Sequence, residues 1–262
     1  FYALLGFLLL PCRKFSNKTL LVTGITLIVL PILLYAAKSQ WHWLNAPSDL
    51  LFSTGQKLDL KLTGITSEAE YFEYAKHANW WDILKGNISG FFFRYGYLFF
   101  VSRIPKVLGM FLIGYALGRS DFYKNIAQNK KIIYWIIGLG LLIGLPANFY
   151  LARYMTYFSN DYWSMKIKGL YQTIFYALGV VPLAMAYVGI FMLSFQSNAG
   201  KKLMSVLTPV GKMAFSNYFL QSLVGNFVFL GPGLGLTGTI GPFYYTFFGI
   251  GFFIIQIIIS TI

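Results

Sequence analysis

The sequence predicts an all-α fold, a polytopic transmembrane helix bundle, and three observations lead to this prediction. Of the 262 residues, 57% are hydrophobic and only 11% are charged, whereas soluble domains carry about 25% charged residues. Apolar stretches of about 20 residues, the length that a helix needs to cross a bilayer, recur along the chain. Glycine, proline or charged residues separate these stretches, which favours successive membrane spans over a water-soluble domain.

Six complete spans are predicted, each from an uncharged or nearly uncharged run of residues. The runs cover residues 19–37, 95–118, 132–152, 169–195, 206–230 and 242–262. Residues 1–11 are apolar but form only about half a span. The chain lacks an initiating Met and its last apolar run reaches Ile262. We therefore expect residues 1–262 to be a single transmembrane domain truncated at both ends.

The net charge of +13 is interpreted as a sign of membrane topology. The cations lie in no nucleic-acid-binding motif, so a nucleic-acid partner is not expected. Loops 12–18, 119–131 and 196–205 carry three, four and two Lys or Arg, nine in all. The short loops on the other side, 153–168 and 231–241, carry three between them. The positive-inside rule therefore places the first set in the cytoplasm and predicts that residues 38–94 form a long extracytoplasmic loop.

This long loop is predicted to contain one interfacial helix. Residues 67–70 read Ser-Glu-Ala-Glu, a capping box that predicts a helix start near Glu68. One side of the predicted helix is apolar, and its residues are Tyr71, Phe72, Ala75, Ala78 and Trp81. Both histidines, His42 and His77, lie in the loop. We interpret His77 as an ordinary helix-surface partner of Glu73, four residues before it.

Two cations interrupt the span predicted over residues 95–118. Arg103 and Lys106 are three residues apart, so they share a helical face, and no Asp or Glu occurs in any predicted span. One interpretation is that both side chains reach the outer headgroups, helped by a kink at Pro105. The other is that they bind an anionic ligand, either a lipid phosphate or the phosphates of an acyl carrier such as coenzyme A.

The span predicted over residues 206–230 carries a polar stripe on its inner half. Its residues are Asn217, Tyr218, Gln221 and Ser222. Such groups in hydrocarbon need hydrogen-bond partners, so they either join neighbouring helices or line a substrate site.

The sequence also contains two glycine patterns. Gly114 and Gly118 fit a close helix contact, and residues 231–238 predict a tight turn.

Three segments carry a resemblance to a known family. Residues 107–119 (VLGMFLIGYALGR) and 209–222 (PVGKMAFSNYFLQS), followed by the turn at 233–238 (GLGLTG), resemble motifs of the YeiB-like family of bacterial multi-pass membrane proteins, also called domain of unknown function 418. The order and spacing of the segments are similar as well. Residues 95–262 are therefore identified as a YeiB-like C-terminal region, which implies the bacterial inner membrane as the location.

The resemblance implies an activity at the level of a clan. The family is grouped with membrane acyltransferases, which move an acyl group from acyl-coenzyme A to a hydroxyl or amine acceptor. Acyl-coenzyme A would be a donor substrate; no bound cofactor and no metal are expected. The essential Arg and His of the clan would precede Phe1, so the catalytic residues are unknown here. The residues expected to form walls and ligand contacts are Arg103, Lys106, Asn217, Tyr218, Gln221 and Ser222.

Two other functions fit the same residues. A small-molecule or lipid transporter would use the polar stripe to line a path, although no inverted repeat of the transporter type is visible. A non-catalytic membrane scaffold would use the polar groups only to hold helices together. In every case the lipid bilayer is a partner, and an anionic small molecule or lipid is a candidate ligand.

Overall fold

A computed structural model describes residues 1–120 and 122–261 of the protein, apart from the side chains of residues 68 and 69. This part of the chain contains α-helices and short 3-10 turns and no strand, which confirms the all-α prediction. The helices are α1 (Tyr2–Phe7), α2 (Asn17–Gln40), α3 (Ala46–Thr63), α4 (Glu68–His77), α5 (Trp80–Phe100), α6 (Arg103–Arg119), α7 (Ile126–Trp163), α8 (Leu170–Ser194), α9 (Asn198–Lys212), α10 (Ala214–Phe229) and α11 (Pro242–Thr261).

Among the described residues, four helices are long and apolar enough to cross a membrane. They are α2, α7, α8 with the turn before it, and α11. A fifth span is formed if α5 and α6, which are bent by 71° relative to each other, are taken together. Several apolar helices of this length define a multi-pass membrane protein, which is the class that the composition predicted.

The predicted span over residues 95–118 is not one continuous helix. α5 begins at Trp80, inside the predicted outer loop, and ends at Phe100. α6 then begins at Arg103. The kink predicted at Pro105 is therefore a complete break located before Arg103. At this break, Lys38 of α2 donates hydrogen bonds to the Phe99 and Phe100 carbonyls.

The predicted span over residues 206–230 is also divided. α9 ends at Lys212 and α10 begins at Ala214, because Met213 leaves helical geometry with φ −98° and ψ 22°. α10 contains 16 residues, about 24 Å of helix, which is shorter than the hydrocarbon core. Much of the predicted cytoplasmic loop 196–205 is helical, because α9 begins at Asn198.

The long loop predicted over residues 38–94 contains α3, α4 and most of α5, where one helix was expected. The predicted start of α4 at Glu68 is confirmed, since the Ser67 side chain accepts a hydrogen bond from the Glu70 backbone N–H. Ala75 and Ala78 of the predicted apolar side are buried in protein. The position of α4 at a membrane surface stays a prediction.

The described chain forms two compact units. The first comprises Phe1–Asp49 and Tyr95–Ser197, and the second comprises Leu50–Arg94 and Asn198–Ile262. In the first unit α7 packs along α8, and α2 packs along α6. In the second unit α9 contacts both α10 and α11.

Glycines allow close helix contacts in the first unit, but they are not the glycines that the sequence pattern predicted. A Cβ atom added to Gly114 or Gly118 would meet nothing within 4 Å, so the predicted close contact there is wrong. The close contact is made by Gly144 of α7, where an added Cβ would lie 2.9 Å from the Leu183 Cβ of α8. Gly140, one turn earlier, meets the Pro182 carbonyl in the same way.

The glycine turn after α10 packs against α4 within the second unit. Gly231 donates a backbone hydrogen bond of 2.8 Å to the Ala75 carbonyl. An added Cβ at this glycine would lie 2.8 Å from both the Ala78 N and the Lys76 O. The predicted break between the last two helices is therefore confirmed. Because Gly231 has no side chain, the backbone of the break can approach α4 closely.

Replacing Gly144 by Leu is expected to destabilise the first unit, because the new side chain would collide with α8 at Leu183. Overpacking of this kind costs about 1–3 kcal/mol. The matched control is Gly138→Leu on the same helix, where an added Cβ meets nothing within 4 Å. Thermal unfolding in detergent should show a lower Tm for Gly144→Leu only. Equal melting temperatures would contradict the glycine contact.

Lowering the pH is expected to loosen the start of α4. The Thr66 backbone N–H and hydroxyl donate hydrogen bonds to the Glu70 carboxylate, which lowers the pKa of Glu70 below its ordinary value. Since the folded-state pKa lies below the unfolded one, the carboxylate stabilises α4 at neutral pH, and this stabilisation disappears as the pH falls through the folded-state pKa. Amide hydrogen exchange, corrected for its intrinsic pH dependence, should report faster opening of α4 in acid. In Glu70→Gln the opening should not change with pH in this range, and an identical pH response would contradict the assignment.

Candidate functional site

Lys38 of α2 holds the break between α5 and α6. Its ammonium group donates hydrogen bonds of 2.6 Å to the Phe99 carbonyl and 3.1 Å to the Phe100 carbonyl, and a third of 3.3 Å to the Ser102 hydroxyl. The last carbonyls of a helix lack intrahelical partners and carry partial negative charge. A buried cation therefore ends α5, and in the sequence it is simply the residue that follows the uncharged run 19–37.

The residue that connects the two helices has a left-handed backbone. Ser102 lies at φ 50° and ψ 47°, a conformation that few residues other than glycine adopt. Its hydroxyl and the carbonyls before it all face the Lys38 ammonium. The sharp turn is thus stabilised by Lys38, and it makes Arg103 the first residue of α6.

Arg103 and Lys106 occupy the first turn of α6. Their spacing predicted a shared helical face, and both side chains line one cavity. The cavity has a volume of about 270 Å³ and lies between α1, α2, α6 and α8. Both cationic side chains are half-buried. The Lys106 Nζ lies 4.4 Å from the centre of the Tyr176 ring, which is the geometry of a cation–π interaction.

A second cavity of about 190 Å³ shares Arg103, Lys106 and Tyr176 with the first and continues towards α7. Its wall includes Gln172, whose side-chain oxygen is buried and accepts no hydrogen bond. A buried acceptor without a donor is uncommon and costs about 1–3 kcal/mol. The two adjoining cavities therefore offer cationic donors together with one unused acceptor.

The charges of Arg103 and Lys106 are not neutralised by carboxylates. Within residues 1–120 and 122–261, the ion pairs that join Lys to Asp or Glu involve other lysines. A planar guanidinium with five donors next to an ammonium group matches the oxygens of a phosphate or carboxylate. The arrangement is therefore chemically suited to hold an anion in a mostly apolar wall.

Aromatic contacts fix the position of Tyr162, which lines the second cavity from α7. The Tyr35 ring stacks on Tyr162 with centres 5.3 Å apart, and the Tyr35 hydroxyl lies 3.1 Å from the Tyr162 carbonyl and 3.0 Å from that of Lys166. These contacts tie the end of α7 to α2. Gly169 permits the approach, because a side chain there would meet the Tyr35 hydroxyl.

Sequence reasoning missed the residues that α8 contributes to the site. Gln172, Thr173 and Tyr176 are close together in an uncharged run, and the spacing of three and four places them on one helical face. A polar group in an otherwise apolar span is the signal that would have identified them. The contribution of Tyr2 from α1 has no comparable signal.

The polar stripe of α10 makes hydrogen bonds to α11. The Asn217 amide donates to the Ser260 hydroxyl at 3.0 Å, and the Gln221 amide donates to the Gln256 side-chain oxygen at 2.8 Å. Gln256 in turn donates to the Asn217 carbonyl at 2.9 Å. For Asn217 and Gln221, these bonds favour the interhelical alternative over a substrate-lining role.

The other two residues of the stripe differ from this pair. The Tyr218 side chain is 70% exposed, and the Ser222 hydroxyl donates back to the Tyr218 carbonyl at 3.1 Å. All four belong to the second unit, whereas Arg103 and Lys106 belong to the first. They are therefore treated as two separate clusters, and ligand binding by Tyr218 and Ser222 stays a prediction.

The histidines have the simple environment that the sequence suggested. His77 is on the surface, with its Nε2 3.8 Å from the Glu73 carboxylate, and His42 is exposed. Neither lines the cavities at Arg103. In the described part of the chain, no three His, Cys, Asp or Glu side chains come together as a metal site.

These features define a multi-pass α-helical membrane protein with a cationic cavity between its helices. A family model described as "Protein of unknown function (DUF418)" matches residues 117–262. The chain belongs to this family, which confirms the resemblance drawn from the motifs.

One curated relative is similar to this chain over most of the chain's length. The "Uncharacterized protein YxaH" of Bacillus subtilis (strain 168) is 28% identical over 247 residues, which cover 92% of this chain and 55% of the relative. The chain thus spans about half the length of the curated relative that it matches. No solved structure matches the chain.

Replacing Lys38 by Met is expected to destabilise the α5–α6 turn, since it leaves the Phe99 and Phe100 carbonyls without their donor. Each unsatisfied buried group costs about 1–3 kcal/mol. The matched control is Lys18→Met, because Lys18 lies exposed at the other end of α2. Thermal unfolding in detergent should show a lower Tm for Lys38→Met, and limited proteolysis should cut between α5 and α6. Resistance equal to that of Lys18→Met would contradict the role of Lys38.

Proposed function

We propose that the chain is part of an acyltransferase-like protein of the bacterial cytoplasmic membrane, which moves an acyl group from acyl-coenzyme A to a hydroxyl or amine acceptor. The observation that carries the proposal is the cavity in which Arg103 and Lys106 lie without a carboxylate partner. The resemblance to the membrane acyltransferase clan supplies the reaction class by analogy.

Within this proposal, the chain's own residues bind and orient the donor. The guanidinium of Arg103 and the ammonium of Lys106 would pair with phosphate oxygens, since charge-assisted hydrogen bonds are the strongest in a site of low polarity. The unused Gln172 oxygen would accept a hydrogen bond from an amide or hydroxyl of the same ligand. The apolar wall of α8, with Val180 and Ala184, would exclude water from the acyl group.

The transfer itself needs a base that this proposal does not assign to a residue of the chain. An acceptor hydroxyl or amine attacks the thioester carbon while a general base takes the acceptor's proton, and coenzyme A leaves as a thiolate that receives this proton from the base. The exposed positions of His42 and His77 do not suit that role. The acyltransferase activity of the whole protein is thus proposed from the donor-binding residues of this chain alone.

A second candidate function, the binding or transport of an anionic lipid, is favoured by the position of the two cations. Arg103 and Lys106 lie on the first turn of α6, and the loop charges predict that this end of the helix is the outer one. Lipid phosphates lie at that level of the bilayer, whereas coenzyme A is a cytoplasmic solute. A non-catalytic scaffold is the third alternative, in which the cations bind no specific ligand.

The test is ligand binding by the full-length protein and its Arg103→Gln and Lys106→Gln variants. Acyl-coenzyme A and nanodiscs with or without phosphatidylglycerol are the two probes. Loss of one charge-assisted contact, worth about 1.5–3 kcal/mol, should weaken binding about ten- to hundredfold. The control is Arg153→Gln, since Arg153 is exposed and lies 5.8 Å from the Tyr157 ring outside the cavity.

The pattern of losses distinguishes the functions. Weaker acyl-coenzyme A binding in both cavity variants, with Arg153→Gln unchanged, supports the acyltransferase proposal. A loss confined to phosphatidylglycerol supports the lipid function. Unchanged binding of both probes overturns the anion site and leaves the scaffold.

A further inference from the structure

The second unit contains a cavity much larger than those at Arg103. Its volume is about 960 Å³, at the upper end of the range for small-molecule sites. Helices α3, α4 and α5 form most of the wall, and Asn226 of α10 and Leu230, the residue after α10, complete it. We name this cavity the loop chamber, because most of its residues come from the predicted extracytoplasmic loop.

The loop chamber is acidic, although the whole chain has a net charge of +13. Asp59 and Asp82 line it, and no Lys, Arg or His of the described chain does so. The charge of its lining is therefore opposite to that of the cavity at Arg103 and Lys106. An anionic ligand would meet carboxylates without a compensating cation, so the loop chamber does not suit phosphates.

Asp59 is fixed in position and, among the described residues, forms no ion pair with a lysine. The Ser89 hydroxyl donates a hydrogen bond of 2.6 Å to the Asp59 Oδ1, and Ser89 itself is only 1% exposed. The ion pairs that join lysines to carboxylates among the described residues do not include Asp59. A buried serine on α5 thus holds the carboxylate of α3 at the chamber wall.

Asp82 has a different and largely structural environment. It forms an ion pair of 3.1 Å with Lys85 and accepts a hydrogen bond of 3.3 Å from the Asn79 backbone N–H at the start of α5. Its charge is therefore balanced locally, and its bonds cap a helix. This contrast identifies Asp59 as the carboxylate that is available to a ligand.

Aromatic rings supply the rest of the recognition surface. Tyr71, Tyr74 and Phe93 line the loop chamber from α4 and α5. The Tyr74 hydroxyl donates to the Asp82 backbone carbonyl at 3.0 Å, which fixes the ring. A carboxylate beside aromatic faces is the usual environment for an organic cation.

We propose that the loop chamber binds a small organic amine in its ammonium form, with Asp59 as the counter-charge. The neighbouring amides of Gln56 and Asn87 would accept hydrogen bonds from the remaining N–H or hydroxyl groups of the ligand. A neutral polyol would leave the Asp59 charge uncompensated, and a lipid tail would place hydrocarbon against the Asp59 carboxylate. The proposal uses no residue of the Arg103 cavity and does not depend on acyl transfer.

The probe pair is phenethylamine, which is charged at pH 7, and phenethyl alcohol, which has the same size and no charge. We expect the full-length protein to bind phenethylamine at least tenfold more tightly in a ligand-observed NMR titration. Asp59→Asn should reduce the affinity for the amine to that for the alcohol. The control is Asp49→Asn, since Asp49 lies on the same helix but does not line the loop chamber.

A second variant tests the cavity without removing a charge. Gly90 lines the loop chamber, and an added Cβ there meets nothing within 4 Å. Gly90→Phe would therefore fill the space at little cost to the fold, and it should abolish amine binding even if Asp59→Asn proves unstable. Arg103→Gln should leave amine binding unchanged, so a failure of the anion site is distinguishable from a failure of this site.

Two results would overturn the proposal. One is equal affinity for the amine and the alcohol in the unaltered protein. The other is amine binding that persists in both Asp59→Asn and Gly90→Phe, which would locate the amine elsewhere.

Discussion

The geometry of the cationic cavity depends on the hydrogen bonds from Lys38 to the last carbonyls of α5. Without this donor, the Phe99 and Phe100 carbonyls and the Ser102 hydroxyl would lose the hydrogen bonds that Lys38 makes to them in a mostly apolar surrounding. With it, α5 ends at Phe100 and Ser102 takes a left-handed backbone. α6 then begins with Arg103, so both cations lie in its first turn and face α8. One buried lysine on α2 thus determines where the site's charges lie.

The remaining helix contacts of the first unit serve the same site. Gly140 and Gly144 allow α7 to lie directly against Pro182 and Leu183 of α8. The Tyr35 hydroxyl of α2 also donates a hydrogen bond to the Tyr162 carbonyl at the end of α7. α8, which supplies Thr173 and Tyr176, is therefore held between fixed neighbours. Small residues at membrane helix contacts act in this way because packing, and not the hydrophobic effect, drives helix association in lipid.

Whether the sequence predicted an element correctly depends on the kind of signal that this element carries in the chain. Composition and span length identified an all-α membrane protein, and the Ser67 capping box located the start of α4 correctly. The break before Arg103 was misplaced, because it depends on Lys38, 65 residues away in sequence, and local propensity contains no record of that contact. The division at Met213 has no proline or glycine at the broken position, so the apolar run there read as continuous.

The candidate site was also predicted only in part. The spacing of Arg103 and Lys106 placed them correctly on one face, and the lack of acids in the spans identified them as unpaired. Asn217 and Gln221 were recognised as polar residues on one helical face, but choosing between packing and ligand contact required Gln256 and Ser260 of α11. The loop chamber was missed, because a cavity between three helices is a property of their arrangement and of no single pattern.

The amide network between α10 and α11 has a consequence for how the protein is made. Gln256 is fully buried, and its amide and carbonyl groups are satisfied by α10 alone. In a bilayer, a lone α11 would expose this side chain to hydrocarbon, at a cost of several kcal/mol. The two segments are therefore best delivered to the lipid as a preformed hairpin. Entry of α10 and α11 into the bilayer together avoids this cost, because each helix supplies hydrogen-bond partners to the other.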